Sequence, residues 1–268
     1  MTAPDVLVCA GLDPSGGAGL VADVRVISEL GGRPVVVATA LTVQATTGAR
    51  ASEPVSDELV REQLECLLSD VEVRAVKIGM LGSSAVAGAI GASLALTSAP
   101  VVWDPVAGPT LGAAPFLTGL FGDALAALAP HVAVITPNVN ELALLTGAPI
   151  ADLATAIGAG RALAERLDAA VLVKGGHLPA RAGGGAGDGA GDEVVDVLCR
   201  PAGVELLRGP RIAGGADVHG TGCALASAIA AHLARGAELV EACRAAKAYV
   251  AGKLAAPARP GRGAAAIV

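Results

Sequence analysis

HVAVITPNVNELALLTGAPIADLATAIGAGRALAERLDAAVLVKGGH, residues 131–177, is the stretch of sequence that decides the fold. Its two ends, HVAVITP and AAVLVKGG, are short runs that stay almost entirely apolar, as strands buried on both faces do. Between them the pattern predicts two helices, over residues 138–145 and 151–167. Two buried strands joined through helices indicate a parallel pair with a crossover connection.

The same alternation of short strands and longer Ala- and Leu-rich helices covers most of the chain. Further strands are predicted for DVLVCAG (5–11), PVVVATAL (34–41), RAVKIGM (74–80) and APVVWDP (99–105), and further helices for residues 18–30, 56–68 and 83–94. This alternation indicates βαβ units. We therefore expect an α/β fold with a central, mostly parallel sheet and helices on both faces.

The pattern changes after residue 176. Residues 180–193 form a glycine-rich segment that we predict to be a loop, followed by two predicted antiparallel strands, VVDVLCR (194–200) and GVELLRGPRI (203–212). Helices over residues 221–234 and 239–255 complete the prediction. The antiparallel pair would form a small flap. No internal repeat or interdomain linker is visible, so residues 1–268 are predicted to form a single domain.

Composition excludes several classes of protein. Only 1% of the 268 residues are aromatic and the net charge is −6, which argues against a nucleic-acid surface. The apolar run PVVVATALTV (34–43) has about half the ~20 residues of a membrane span, and the N-terminus does not read as a signal peptide. Five cysteines without a CxxC pair indicate reduced thiols in a cytoplasmic protein.

Chemically distinctive residues follow the predicted strands. Ligands of open α/β sheets bind at the carboxyl ends of the strands. The residues at those ends are 11–19, Gln44, 79–80, 104–105, 136–141 and 174–177. Their clustering predicts a single site at that edge of the sheet.

The motif HGTGC (219–223) opens a predicted helix and is suited to bind an anion. Gly220 and Gly222 let the backbone turn so that its N–H groups converge, and the helix dipole adds positive charge there. A Walker-type phosphate loop is absent from the sequence. Cys223 would lie in the first turn, where the dipole favours thiolate and lowers the pKa. The alternative is a small buried cysteine that packs under a glycine turn.

A second glycine-rich segment, GGAGLVAD (16–23), contains a GxGxxA match after a strand. A dinucleotide site would also need an acidic residue about 20 positions further on, to hold the ribose. That region reads TALTVQATTG and contains no acid. The remaining interpretations are a glycine turn that approaches some other ligand, or a plain tight turn.

Charged residues at strand ends leave two interpretations open. Asn138 and Glu141 have the spacing of a capping box. Alternatively, Asp104 and Glu141 supply oxygen ligands, through water, for Mg²⁺ carried by a nucleotide. Lys174 could meet phosphate or form a structural salt bridge, and Lys77 raises the same question.

Taken together, these motifs resemble the ribokinase-like superfamily and, within it, the hydroxymethylpyrimidine/phosphomethylpyrimidine kinases of thiamine biosynthesis. The resemblance covers nearly the whole chain, and the motifs come in the order of the family. The matching stretches are AGLDPSGGAGLVADVRVISELGG, ATALTVQATTG, VKIGML, VVWDPV, ITPNVNEL, VLVKGGH, HGTGCALASAIAAHLARG and ACRAAKAYV. The sequence departs from the family at Leu12, where serine is usual, and in the loop AGPTLGAAPF (107–116), where relatives are more polar.

The resemblance also implies roles for individual residues, which fall into three groups. The anion hole would consist of Gly220, Thr221, Gly222 and Cys223, with the cysteine in the place of the aspartate base of most superfamily members. The pyrimidine would be held by Gln44, with Gly11, Val43 and Asp23 near it and Met80 on its ring. ATP and Mg²⁺ would be held by Lys174, Thr221, Asn138, Asp104 and Glu141.

The activity implied is transfer of a phosphoryl group from ATP to 4-amino-5-hydroxymethyl-2-methylpyrimidine, and in a second step to the monophosphate. The resemblance also implies a homodimer. Two alternatives remain open: a pyridoxal kinase on the same scaffold, and a ligand-binding sensor that has lost catalysis. Lys174, Glu141 and the glycine turn argue against the sensor.

Overall fold

The protein is described here from a computed structural model, which covers residues 2–108, 116–178 and 193–267. Its strands are β1 (Asp5–Leu12), β2 (Arg33–Ala45), β3 (Gly48–Pro54), β4 (Val73–Ile78), β5 (Gly82–Ser83), β6 (Val101–Trp103), β7 (Leu117–Thr118), β8 (Val132–Ile135), β9 (Ala170–Val173), β10 (Glu193–Arg200) and β11 (Gly203–Pro210). Its helices are α1 (Gly19–Glu29), α2 (Asp57–Asp70), α3 (Ser84–Leu94), α4 (Phe121–Leu128), α5 (Val139–Thr146), α6 (Leu153–Leu167), α7 (Thr221–Ala234) and α8 (Leu239–Leu254).

The main sheet has nine strands in the order β11-β10-β9-β8-β6-β4-β1-β2-β3. The six strands from β9 to β2 are parallel. From β1 the chain moves outward to β2 on one side, and from β4 it moves outward through β6, β8 and β9 on the other. The switch point between β1 and β4 is where a ligand-binding crevice is expected.

The predicted α/β class is confirmed, and two details differ from the prediction. The strands predicted as a flap, β10 and β11, are continuous with the main sheet because β10 pairs antiparallel with β9. Strand β3, which pairs antiparallel with β2, and helix α4 were not predicted. The sequence of β3, GARASEP, lacks an apolar run, and α4 is only eight residues long and has no side-chain cap. Residues 180–192 of the predicted glycine-rich loop lie outside the described residues.

Alternating residues of β1 reach the two faces of the sheet, as the pleat of a strand requires. Val6, Val8 and Ala10 pack with α1, α7 and α8, while Leu7 and Cys9 pack in the cluster that includes α2, α3, α5 and α6. Both faces of the central strands are therefore covered. This burial explains why the strands are almost continuously apolar in sequence.

Helix α7 packs against β1, β4 and β6 at the centre of the sheet. Its buried face is mostly alanine, so the helix axis can lie close to the strands. This packing brings the glycine-rich start of α7 to the carboxyl edge of the sheet, close to the switch point. Among the described helices, none combines the length and apolarity that crossing a membrane would require.

Candidate active site

An open cavity of about 1070 Å³ runs along the carboxyl edge of the sheet. Strand ends from β1 to β9, the start of α7, and parts of β10, β11 and α8 contribute to its walls. The predicted site residues that line the cavity are Gly11, Gln44, Met80, Asp104, Asn138, Lys174, Glu141, Gly220, Thr221, Gly222 and Cys223. The fold thus brings together residues that are more than 200 positions apart in sequence.

Two of the predicted substrate-binding residues do not reach the cavity. Asp23 is completely buried, and its carboxylate lies between Lys77 and Ser227. Val43 is 60% exposed, because side chains alternate along β2 and its neighbours Thr42 and Gln44 take the inward positions. Neither residue lines the cavity, and their place near the substrate stays a prediction.

The start of α7 has the geometry of an anion-binding turn. Gly220 has a positive φ of 86°, and a Cβ there would lie 2.0 Å from the carbonyl oxygen of Gly17. As at any helix start, the first backbone N–H groups have no partner within the helix, and no described side chain caps them. A Cβ on Gly222 would lie 3.1 Å from Lys174 Nζ, so the turn and this ammonium face the same point.

Cys223 lies in the first turn of α7 and lines the cavity, but it does not have the lowered pKa that its position predicted. Burial raises the pKa of the Cys223 thiol to about 11, against the opposing effect of Lys77, and Asp23 and Asp104 add to the rise. The direction of this shift is opposite to the one expected at a helix start, because desolvation and the two carboxylates outweigh Lys77 and the hydrogen bond from the Gly19 backbone. The resting group at neutral pH is the thiol.

Lys174 connects the acidic residues at the ends of β6 and α5. Its Nζ lies 2.7 Å from Asp104 Oδ1 and 3.5 Å from Glu141 Oε2, and Thr136 donates to the same Asp104 oxygen at 3.1 Å. Burial lowers the pKa of Lys174, but the two carboxylates outweigh it and hold the pKa above its usual value. Lys174 is therefore an ammonium held at the cavity wall.

Asn138 and Glu141 form the capping box that their spacing predicted. Asn138 Oδ1 accepts from the Glu141 backbone N–H at 2.9 Å, and Glu141 Oε2 accepts from the Asn138 N–H at 2.7 Å. Burial raises the pKa of Glu141, partly offset by Lys174. The cap fixes the Glu141 carboxyl at the cavity, so structural and ligand-binding roles are compatible.

The pyrimidine end predicted from Gln44 contains two residues that the sequence interpretation missed, Asp13 and His219. His219 Nε2 lies 2.9 Å from Asp13 Oδ2 and 3.1 Å from Gln44 Nε2. Burial raises the pKa of Asp13, but hydrogen bonds from His219 and Ser15 outweigh it and leave the pKa below its usual value. Asp13 also accepts from the Ala18 N–H at 3.1 Å, which fixes the turn before α1. Both residues lie within the glycine-rich motifs of the sequence, and this position could have identified them as site residues.

The wall at this end is apolar. Met80 packs with Phe116, Ala40 and Ala49. A Cβ on Gly11 would lie 2.7 Å from Met80 Sδ, so the glycine lets the thioether approach β1. Met80 therefore lies where a flat ring could pack on it, and Phe116 adds an aromatic surface.

The opposite end of the cavity is built from β10, β11 and α8, and the sequence interpretation assigned no site residue to it. Apolar side chains of Ile212, Val218 and Leu254 line it together with Lys247. Lys247 Nζ lies 2.6 Å from Asp196 Oδ2, and the other Asp196 oxygen accepts from the Gly175 N–H at 2.7 Å. These contacts connect α8 and β10 to the turn that carries Lys174.

Residues 264–267 tie the cavity wall together. The backbone N–H of His219 donates to Ala265 O at 2.8 Å, and the N–H of Ile267 donates to His219 O at 3.1 Å. Ala264 N–H donates to Thr46 O at 2.9 Å, just after β2. This segment therefore holds the residue before the anion-binding turn against the end of β2.

Comparison with known proteins gives a consistent picture. The sequence model of the family described as Phosphomethylpyrimidine kinase matches residues 13–267. A hydroxymethylpyrimidine/phosphomethylpyrimidine kinase of Streptomyces coelicolor is 39% identical over 259 residues, which cover 96% of this chain and 90% of that protein. A phosphomethylpyrimidine kinase structure from Clostridium difficile has a TM-score of 0.73 at 30% identity and covers 93% of this chain and 98% of its own.

A second structural neighbour is a pyridoxal kinase from Staphylococcus aureus in complex with AMP-PCP and pyridoxal. Its TM-score is 0.85 at 26% identity, and the match covers all of this chain and 94% of the other. Among these neighbours, likeness of fold alone does not separate a pyrimidine kinase from a pyridoxal kinase.

Proposed function

Since the chain belongs to the phosphomethylpyrimidine kinase family, we propose that it transfers the γ-phosphoryl group of ATP to the hydroxymethyl oxygen of 4-amino-5-hydroxymethyl-2-methylpyrimidine. A second transfer, to the phosphate of the product, would make the diphosphate in the same cavity. The observation that carries the proposal is the start of α7, which faces Lys174 and Asp104 from the middle of the cavity.

The position of this turn suits a transfer between two ligands. Gln44 and Met80 lie at the β2–β1–β4 side, whereas Lys174 and Asp196 lie at the β9–β10 side. Neighbouring strands lie about 4.8 Å apart, so β1 and β9 are separated by about 19 Å. That span accommodates a pyrimidine at one end and a nucleoside triphosphate reaching in from the other, with the γ-phosphate at α7.

The residues present fit a magnesium ion carried by the nucleotide. Mg²⁺ prefers oxygen ligands and keeps several of its waters. Asp104 and Glu141 supply two carboxylates that line the cavity beside Lys174. When bound there, the ion would neutralise charge on the β- and γ-phosphates. Asn138 would act indirectly, by fixing Glu141.

Lys174 would bind the phosphates, and the backbone of Gly220, Thr221 and Gly222 would stabilise charge on the transferring group. Cys223 would face the substrate hydroxyl and orient it or accept its proton. Because the pKa of the thiol is raised to about 11, orientation is the role of the resting group, and proton acceptance would require its deprotonation.

At the pyrimidine end, Gln44 would hydrogen-bond the aminopyrimidine edge, and Met80 would pack on the ring. A pyridoxal kinase activity is the second candidate, supported by the Staphylococcus aureus neighbour. Both substrates carry a hydroxymethyl group on a flat ring, so the cavity chemistry favours neither by itself. The ordered sequence resemblance and the family match favour the pyrimidine.

The test is a coupled ADP-release assay with ATP, Mg²⁺ and either the pyrimidine or pyridoxal. We expect a higher kcat/KM for the pyrimidine. Phosphorus NMR of the product mixture would show whether a diphosphate forms after the monophosphate. No turnover of the pyrimidine above a control without substrate would refute the proposal, and a preference for pyridoxal would support the second candidate.

We also propose a single domain acting as a homodimer in the cytoplasm. Leu41 and Val43 are exposed on β2, where they offer an apolar face to a second copy. The five cysteines are free, as a reducing compartment requires. Light scattering after size exclusion should give twice the chain mass. A Leu41→Glu, Val43→Glu variant should run as a monomer, and an unchanged mass would refute this face.

A further inference from the structure

Lys77 and Asp23 form an ion pair that is completely removed from solvent. Lys77 Nζ lies 2.7 Å from Asp23 Oδ2, and both side chains are 0% exposed. Desolvation carries a large penalty for two such charges, and a well-packed apolar pair often serves stability as well or better. A buried ion pair next to a cavity therefore suggests a role beyond stability.

The pair is connected to the first turns of α7. Ser227 donates to Asp23 Oδ1 at 2.7 Å. Ser227 follows Cys223 by four residues, so the two side chains lie on the same face of the helix, one turn apart. Lys77 and Cys223 both line the cavity.

Gly79 makes room for the ammonium. A Cβ at this position would lie 2.6 Å from Lys77 Nζ. Burial lowers the pKa of Lys77, but Asp23, Cys223 and Asp104 outweigh it and keep the pKa above its usual value. The charged groups that act on Cys223 include Lys77 from β4, Asp23 from α1 and Asp104 after β6, and Lys174 after β9 interacts with it as well. Lys77 is the cation with the largest effect on Cys223.

We propose that Lys77 is a positioning residue for the phosphoryl transfer: Asp23, which also accepts a hydrogen bond from Ser227 of α7, anchors the ammonium on the Cys223 side of this helix, where it stabilises negative charge at the sulfur and the substrate oxygen. This inference rests on the proposed function. The Cys223 thiol first gives its proton to water, and Lys77 favours this step by stabilising the sulfur anion. As the hydroxyl O–H bond then breaks, its proton passes to this thiolate, and the oxygen forms a bond to the γ-phosphorus. The bond from that phosphorus to the bridging oxygen breaks, and the electron pair leaves with ADP. Lys174 lies near Gly222 of the same turn.

The test compares Lys77→Met with the double variant Asp23→Leu, Lys77→Met, which removes both charges and leaves none unpaired. We expect kcat to fall about 100-fold in the double variant, with KM for the pyrimidine and for ATP nearly unchanged, because the lost interaction acts mainly in the transition state. Leu64→Ala, on the buried face of α2, is the control. It should lower stability without changing the cavity, because Leu64 does not line it.

A second readout does not depend on turnover. Iodoacetamide alkylation at one pH, followed by peptide mass spectrometry, gives the rate at Cys223 relative to the exposed Cys66. We expect this ratio to fall about tenfold in Lys77→Met, as it would for a rise of one unit in the pKa of the thiol, and by less in the double variant, which also removes the opposing Asp23 charge. The Leu64→Ala control should keep the ratio of the unmodified protein.

A folded double variant with unchanged kcat, or a folded Lys77→Met variant with an unchanged alkylation ratio, would overturn the inference. If neither charge variant folds, Ser227→Ala decides, because it releases Asp23 from α7 without removing a charge. An unchanged kcat in that variant would also overturn it. If the unmodified protein does not turn over the pyrimidine, the proposed function fails. The alkylation ratio would still test whether the Lys77 charge acts on the Cys223 thiol.

Discussion

Replacement of Gly220 by alanine tests whether the anion-binding turn is built as described. Gly220 has a φ of +86°, and an added Cβ would meet the Gly17 carbonyl oxygen at 2.0 Å. Contacts of a Cβ below 3.0 Å essentially never occur, so one of the two backbone segments must move by about 1 Å. Gly236 offers a matched control, since its φ is +84° and a Cβ there would meet nothing within 4 Å.

Both substitutions should lower the stability of the protein, but only Gly220→Ala should also lower kcat. An alanine held at positive φ costs about 1–2 kcal/mol, so both proteins should lose that much stability. Only Gly220→Ala also displaces the N–H groups that, in the proposed function, would face the γ-phosphate. A misplacement of about 1 Å can lower a rate by about 100-fold, and loss of one oxyanion donor by about 100- to 1000-fold. We therefore expect kcat to fall by at least about 100-fold.

The assay measures ADP release with saturating pyrimidine and ATP, together with urea unfolding of both variants. Gly236→Ala should keep the kcat of the unmodified protein, because it lies beyond the end of α7, away from the cavity. If the two variants had kcat values within about threefold of each other, the turn would not be positioning the transferring group, and the reasoning would be refuted.

Three further outcomes are expected. Cys223→Ala should lower kcat by about 10²- to 10⁴-fold in the ADP-release assay with the fold intact, and a near-normal kcat would mean that the thiol only packs. Gln44→Ala should raise KM for the pyrimidine about tenfold while KM for ATP stays nearly constant; equal changes in both would contradict the proposed pyrimidine contact. Asp13→Asn should destabilise the protein by about 1–3 kcal/mol at pH 7. Folding lowers the pKa of Asp13, so the stability that its carboxylate contributes is fully present above the ordinary aspartate pKa of about 3.9. This stability is lost as pH falls through the lower pKa of the folded protein. The same difference in unfolding free energy between variant and unmodified protein in urea near pH 3 would refute this prediction.

The fold could be predicted from sequence where the parallel strands are buried on both faces. β1, β8 and β9 are short apolar runs that no other element type explains, and α7 was predicted with both of its ends. β3 could not be predicted in the same way, because its residues GARASEP owe their extended conformation to pairing with β2. Such pairing is a tertiary effect and leaves no local pattern in the sequence.

The residues that line the cavity were predicted where a charge follows a strand, as at Lys174, and where a glycine opens a helix, as at Gly220. The direction of individual side chains was less accessible, because a shift of one residue along β2 turns a side chain such as Val43 from the cavity to solvent. The buried partner of Asp23 and the raised pKa of Cys223 depend on groups from β4 and β6 that are distant in sequence. Only the assembled sheet brings those charges together.

The backbone pairing of residues 265–267 with His219 has a consequence for synthesis of the protein. Translation proceeds from the N-terminus, so β1 through β9 and most of both hydrophobic clusters are available for folding while this segment is still inside the ribosome. The turn before α7 acquires its last backbone hydrogen bonds only when Ala265 and Ile267 have emerged. A nascent chain can therefore complete its sheet before this turn is finished, and a chain truncated before residue 264 should keep its sheet but lack the backbone hydrogen bonds that hold His219 in place.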